Sequence, residues 1–172
     1  YNFRLIDPSN PIPGNINVLL VTGTTDSINE KTLDNLNQYL QSGNRMLFTQ
    51  SGVNTDIQTQ QANPIESNVF DFLKKYRLDL QKNLVLDSKC GNVQVRQSVG
   101  LFSMNRAVQY PFFPIVDSFN IYDTLSNIIV NNLEQVLPLF PSEIIIDTLQ
   151  NDEVKNVVHL FKSSNNSGKM ES

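Results

Sequence analysis

Residues 16–50, INVLLVTGTTDSINEKTLDNLNQYLQSGNRMLFTQ, decide the fold. Between Asn17 and Thr22 the run is wholly apolar, the pattern of a parallel strand buried on both faces. Ser27 and Glu30 stand at capping-box spacing, where a hydroxyl accepts from the amide three residues on and the carboxylate reaches back. Leu33, Leu36 and Leu40 recur on one helical face, and Gly43 supplies a left-handed stop. Arg45 to Gln50 follows as a second strand. Strand, helix and strand at this spacing predict a βαβ unit with a right-handed crossover, and hence an α/β domain.

Upstream, Asn2 to Asp7 alternates apolar and polar residues like an edge strand, and Pro8, Pro11, Pro13 and Gly14 then prevent regular structure. Downstream, the polar stretch from Ser51 to Pro64 reads as a surface loop. Val69, Phe72, Leu73 and Tyr76 predict a helix over 66–76, with Lys74, Lys75 and Arg77 on its solvated side. Leu84-Val85-Leu86 reads as a short strand. Val93-Gln94-Val95-Arg96 and Arg106 to Tyr110 both alternate, with Gly100 between them, and should pair as an antiparallel hairpin with a long connection. Tyr110-Pro111-Phe112-Phe113-Pro114 is excluded from a central strand by its prolines, which donate no ladder hydrogen bond. A short helix is expected over 128–136. Two strands should follow over 143–149 and 154–161, with antiparallel strands filling the C-terminal half. Residues 1–162 make one domain, and 163–172 form a polar tail expected to fray.

A chain of 172 residues with 40% hydrophobic and 17% charged residues suits a single folded domain. Its net charge of -4 disfavours nucleic acid, whose binding rests on Lys and Arg neutralising phosphates. One cysteine, Cys90, precludes an internal disulfide or a cysteine-based zinc site. No apolar run approaches the ~20 residues needed to cross a bilayer. The chain opens on Tyr1, as expected of a piece of a longer protein whose membrane anchor lies elsewhere.

No catalytic or metal site is expected. Nucleophilic catalysis needs a nucleophile, a base and oxyanion donors in mutual reach. Cys90, in Asp87-Ser88-Lys89-Cys90-Gly91, lacks the strand-to-helix elbow that exposes a nucleophile, and the sole histidine, His159, alternates within an apolar run. Asp147, Asp152 and Glu153, and Asp117 with Asp123, read as solvated carboxylates. Gly23-Thr24-Thr25 lies where a buried strand meets a helix, the usual ligand position in open α/β sheets. Without a G-x-G-x-x-G or G-K-[ST] motif, nucleotides are excluded and no cofactor is expected. Any small ligand should sit on Gly23, Thr24, Thr25, Gln50, Ser51 and Gly52 at the strand C-terminal edge. Tyr110, Phe112 and Phe113 are either a plug sealing the sheet or an exposed partner-binding patch.

The order of segments resembles the gliding-motility-type ABC-transporter auxiliary family. The resemblance is carried by Asn17 to Gly23, by Leu36-x-x-Tyr39-Leu40-x-x-Gly43-x-Arg45-Met46-Leu47, by Leu84-Val85-Leu86-Asp87-x-x-Cys90, by Tyr110 to Pro114, and by Leu160-Phe161-Lys162-Ser163-Ser164. The first part is also similar to a domain of intraflagellar-transport proteins. Asn44 stands where a second glycine is usual. The resemblance implies a Rossmann-like (flavodoxin- or amidotransferase-like) domain, a mostly parallel sheet with helices on both faces. It also implies a place on the extracytoplasmic, periplasmic face of the bacterial membrane beside a permease and an ATPase.

Two consequences follow. The link from Asp7 to Ile16 is too short for a helical crossover, so one strand position between the Phe3 and Val18 strands should be vacant, collapsed or filled by another chain, which would favour association, a homo-oligomer included. The function expected is a non-catalytic module for assembly or substrate handling. The alternatives are a small-ligand-binding domain feeding the transporter and, more remotely, an amidotransferase-like hydrolase using Cys90.

Overall fold

A computed structural model describes residues 3–59, 61–99, 102–121, 124–146 and 157–171. The elements are β1 (Val18–Thr22), α1 (Glu30–Gln41), β2 (Arg45–Thr49), β3 (Val53–Asp56), β4 (Gln61–Pro64), α2 (Val69–Lys74) and β5 (Leu78–Leu80), followed by β6 (Asn83–Asp87), β7 (Cys90–Val99), β8 (Phe102–Pro114), α3 (Thr124–Val130), β9 (Ile144–Ile146) and β10 (Ser167–Glu171).

The βαβ unit forms as read. β1 and β2 run parallel, with Val18 opposite Arg45 and Thr22 opposite Thr49. The helix start differs: Asn29, not Ser27, caps α1, its side chain accepting from the Lys31 amide at 2.9 Å. The Ser27 hydroxyl instead accepts from the Asn68 amide at 3.3 Å, tying the helix approach to the start of α2. Gly43 takes φ 82° and ends the helix, its amide donating to the Leu40 carbonyl. Asn44 keeps a negative φ and donates to the Tyr39 carbonyl at 3.1 Å, so no second left-handed residue is needed.

Leu33 and Leu36 of α1 and Phe72 of α2 are buried together, covered by Leu19, Val21, Met46 and Phe48 from one face of the β1–β2 pair. Val69, Phe70 and Leu73 of α2 bury against Ile65 and Leu80. Each fully buried side chain of this size stabilises the fold by about 1.5–3 kcal/mol. The N-terminal segment is tied across α1 by Asn35, which donates to the Pro8 carbonyl (2.8 Å), and by the Tyr39 hydroxyl, which donates to Ile16 (2.9 Å).

Several expectations give way. Among the described residues the strands form five two-stranded sheets, and only β1–β2 is parallel. The fold is mixed α/β with small, mostly antiparallel sheets rather than one mostly parallel sheet. Residues 3–7 form no strand, and Phe3 and Leu5 stand in solvent. Residues 53–64 are a hairpin, not a loop, turned by Asp56, whose carboxylate accepts from the Gln58 and Thr59 amides. Within the stretch expected to be a polar tail, β10 pairs antiparallel with β6. The strand expected over 143–149 is β9, paired with β5; residues 147–156 lie outside the described residues, and 157–161 form no strand. The last helix is α3, which ends at Val130 rather than running to 136.

The β7–β8 hairpin forms with Val93 opposite Val108. It is interrupted where Gly91 faces Tyr110 to Phe113, and the ladder resumes at Cys90 opposite Pro114. Both prolines of that segment thus fit a bulged two-stranded ribbon, where an outward-facing edge needs no donor.

Candidate functional site

Thr24 and Gln50 do meet at the C-terminal ends of β1 and β2, but the chain fills the space itself. The Gln50 side-chain oxygen accepts from the Thr24 amide (2.9 Å) and hydroxyl (2.6 Å), and its nitrogen donates to the Thr24 carbonyl (2.7 Å) and the Ser51 carbonyl (2.9 Å). All four hydrogen-bonding positions of that amide are used within the protein. Gly23 takes φ 60° and donates to the Thr49 carbonyl, and the Thr25 hydroxyl turns to Asp26.

Ser51 and Gly52 are structural as well. The Ser51 hydroxyl meets the Phe140 carbonyl and the Ser142 hydroxyl, each at 3.1 Å, and the Gly52 amide donates to Ser142 at 2.9 Å. A Cβ at Gly52 would collide with the Gln81 backbone carbonyl, so this glycine serves close backbone approach. Of the six residues expected to receive a small ligand, Gln50 bonds Thr24 and the Ser51 carbonyl, the Ser51 hydroxyl and Gly52 amide are tied to Ser142, and Thr25 turns to Asp26.

The aromatic segment packs into a ring cluster with Phe140. Tyr110 packs edge-on to Phe113 (ring centroids 4.9 Å) and Phe140 (6.1 Å), and Phe113 packs edge-on to Phe140 (5.1 Å). Tyr110, Phe112 and Phe113 are each half-buried. Phe140, the residue that completes this cluster, carries no signal in sequence beyond its place between Pro138 and Pro141.

Cys90 is a half-buried strand residue, and His159 is exposed with its carbonyl held by the Asn120 side chain at 3.0 Å. Asp117 is ion-paired with Lys89, which holds its carboxyl below the usual range. Among the described residues no three His, Cys, Asp or Glu gather as metal ligands; Asp123, Asp147, Asp152 and Glu153 lie outside them.

The carboxylate that sequence reading missed is Asp87, at the end of β6. It is 2% exposed and accepts from the Ser164 amide and hydroxyl (both 2.6 Å) and from the Lys89 amide (2.9 Å). Burial acts to raise its pKa, but these donors outweigh it and hold the group below its ordinary value. Nearby, Glu143 is lowered by the Lys169 ammonium and the Asn83 amide, which tie β9 to β10 and β6. Both carboxylates clasp segments that are distant in sequence.

The open feature is at the other side of β1. A cavity of about 1180 Å³ lies between residues 3–6 and the outer edge of β1. Its lining is predominantly apolar, and Arg4 is its only charged residue. The face of the β1–β2 pair turned away from the helices is also uncovered: Val18, Leu20 and Leu47 are 52%, 48% and 55% exposed. Parallel strands ordinarily have both faces covered; among the described residues β1 pairs on the β2 side alone, and this face stays half-exposed. The vacant position expected between a Phe3 strand and the Val18 strand does not arise in that form, because residues 3–7 form no strand.

A family model described as "ABC-type uncharacterized transport system" matches residues 1–172. None of the curated proteins compared with the chain matches it. Among solved structures, the mmIFT52 N-terminal domain is similar in fold, with a TM-score of 0.56 at 12% identity. That likeness takes in 91% of this chain, which spans 62% of the length of the mmIFT52 domain.

Proposed function

Because the chain belongs to the ABC-type uncharacterized transport system family, we propose that it is a non-catalytic module that helps assemble such a transporter. In this reading it stands on the extracytoplasmic face of the membrane, in the manner of gliding-motility-type auxiliaries, and its partners are the permease and ATPase subunits. None of the described helices is long and apolar enough to cross a membrane, so attachment would come through other segments or through the partners.

The observation that carries the reading is the half-exposed β1–β2 unit. Its cavity presents apolar side chains and a strand edge, with no converging titratable groups. Such a surface suits burial against protein, because contiguous exposed apolar area favours association. Substrate capture would call for placed polar groups, and the best-placed ones, around Thr24 and Gln50, are engaged with each other.

The test is co-purification of the full-length protein with its permease and ATPase from detergent-solubilised membranes. A Leu20→Lys/Leu47→Lys double variant should stay folded, since both side chains are half-exposed, and should lose the partners. Undiminished recovery of both subunits with the folded variant would contradict the proposal.

A further inference from the structure

Going beyond the assembly role and independently of it, we propose that β10 is a strap, which lifts off β6 and closes again while the rest of the fold stays intact. The strap has a fixed root. Just before it, the Leu160 carbonyl accepts from the Asn120 amide at 2.8 Å and the His159 carbonyl accepts from the Asn120 side chain at 3.0 Å. Phe161 packs edge-on to Phe119, with ring centroids 6.3 Å apart. Lys162 and Ser163 follow, both exposed and outside any helix or strand, and they supply the pivot.

Beyond the pivot the attachment is almost wholly polar. All five residues of β10 are exposed. Met170 is the one large apolar side chain between Ser163 and Glu171, and it is 40% exposed. None of residues 157–171 joins either buried apolar cluster. A side chain placed at Gly168 would meet nothing within 4 Å. The closed position is held near its two ends. At one end the Ser164 amide and hydroxyl donate to Asp87, and the Ser88 amide donates to the Asn166 carbonyl. Towards the other end the Lys169 ammonium meets Glu143 at 2.9 Å. The ladder to β6 runs between.

A segment with few buried apolar contacts and solvent-exposed backbone hydrogen bonds opens locally at lower free energy than the core. Lifting the strap breaks this ladder and these clasps, while Leu33, Leu36 and Phe72 stay buried together. The open state bares the β6 edge from Asn83 to Asp87 and the Asp87 carboxylate, which is 2% exposed when the strap is closed. An unpaired strand edge is a template for another strand, so the strap keeps this edge covered and its opening uncovers it.

Native-state hydrogen exchange of the full chain, at urea concentrations below unfolding, tests the strap. The β10 amides should exchange on the order of tenfold faster than those of Leu36 and Tyr39 in α1, with little dependence on urea, because the opening exposes little surface. Leu36→Val loosens the core away from the strap. It should speed exchange in α1 about fivefold and leave β10 unchanged. One urea dependence shared by β10 and α1, or β10 speeding in step with α1 in Leu36→Val, would show that the strand leaves only on global unfolding and would overturn the proposal. Asp87→Asn should speed β10 exchange on the order of thirtyfold. Unchanged β10 exchange in that variant would overturn the role of Asp87 as the latch.

Discussion

Ser164 grips the buried Asp87 carboxylate with both its amide and its hydroxyl, each at 2.6 Å, across 77 residues of sequence. The same Ser164 hydroxyl accepts from the Asn166 amide at 3.1 Å, and the Ser88 amide donates to the Asn166 carbonyl. The chain beyond 163 is thereby aimed along β6, where Lys169 opposite Val85 and Met170 opposite Leu84 form the β10 ladder. A segment whose composition suggests a loose tail is positioned by this carboxylate, by the Lys169–Glu143 ion pair and by the β10–β6 ladder.

Replacing Asp87 by Asn keeps one acceptor and turns the other into a donor facing a donor. Hydrogen bonds to charged groups contribute about 1.5–3 kcal/mol each. Asp87→Asn should therefore lower stability to urea by about 2 kcal/mol or more, and speed hydrogen exchange in β10 before β1 is affected. A loss below about 0.5 kcal/mol would show that the clasp contributes little.

The pH dependence follows from the lowered pKa of Asp87. The unfolded carboxyl has an ordinary value near 3.8 and the folded one a lower value, so the unfolded state binds the proton first. The stabilisation is complete above the unfolded value and is lost as pH falls through it towards the folded value. Urea denaturation between pH 6 and pH 2.5 should show a decline starting near pH 4, and the decline should be shallower in Asp87→Asn. Parallel curves would place the acid sensitivity elsewhere.

Gln50→Ala removes every bond of the Thr24 lock. With partly buried partners left unsatisfied, the expected cost is about 1 kcal/mol. If the site is a lock rather than a ligand site, thermal-shift screens against sugars, short peptides and phosphate should give no stabilisation in the wild type. A concentration-dependent rise in Tm that Gln50→Ala abolishes would restore the ligand-binding reading.

Gly52→Ala forces a methyl against the Gln81 carbonyl, a backbone atom that cannot swing away. The expected loss is on the order of 3 kcal/mol, with no change in any ligand response. Near-wild-type stability would mean that β3 and the segment before β6 can separate freely.

What the sequence disclosed was periodic apolar patterning. Leu19, Val21, Leu33, Leu36, Leu40, Met46 and Phe48 mark the βαβ unit because they pack into one core, whereas Val18, Leu20 and Leu47, expected to be buried on the other face, are half-exposed; Gly43 marks the stop because a left-handed residue closes that turn. The alternation about Val93 and Val108 gave the hairpin. The hairpin over 53–64 and β10 stayed hidden because Asn54, Thr55, Asn63, Gly168 and Lys169 pair through backbone alone and show no apolar alternation. The parallel pairing of β1 and β2 suggested a larger parallel sheet, but β5 and β6 take antiparallel partners brought from far along the chain, and β7 and β8 pair antiparallel with each other. At the site, Thr24 and Gln50 were legible as neighbours, since strand ends in a βαβ unit adjoin. That Gln50 would occupy the space depended on a side-chain rotamer, which no spacing encodes. The short link from Asp7 to Ile16 suggested a gap between two strands, but residues 3–7 form no strand, so the first of those two strands is missing.

The most direct measurement compares hydrogen exchange of Val18, Leu20 and Thr22 in the isolated chain and in the assembled transporter containing the full-length protein. The Gly23 amide donates to the Thr49 carbonyl and backbone groups of a strand alternate sides, so the amides of Leu19 and Val21 face β2 and those of Val18, Leu20 and Thr22 face away from it. If the β1 edge away from β2 is where the module joins its partners, those three amides exchange rapidly in isolation and become protected in the assembly, while Leu19 and Val21 change little. Identical exchange of all five amides in the two states, with the assembly intact, would contradict an assembly role for this surface.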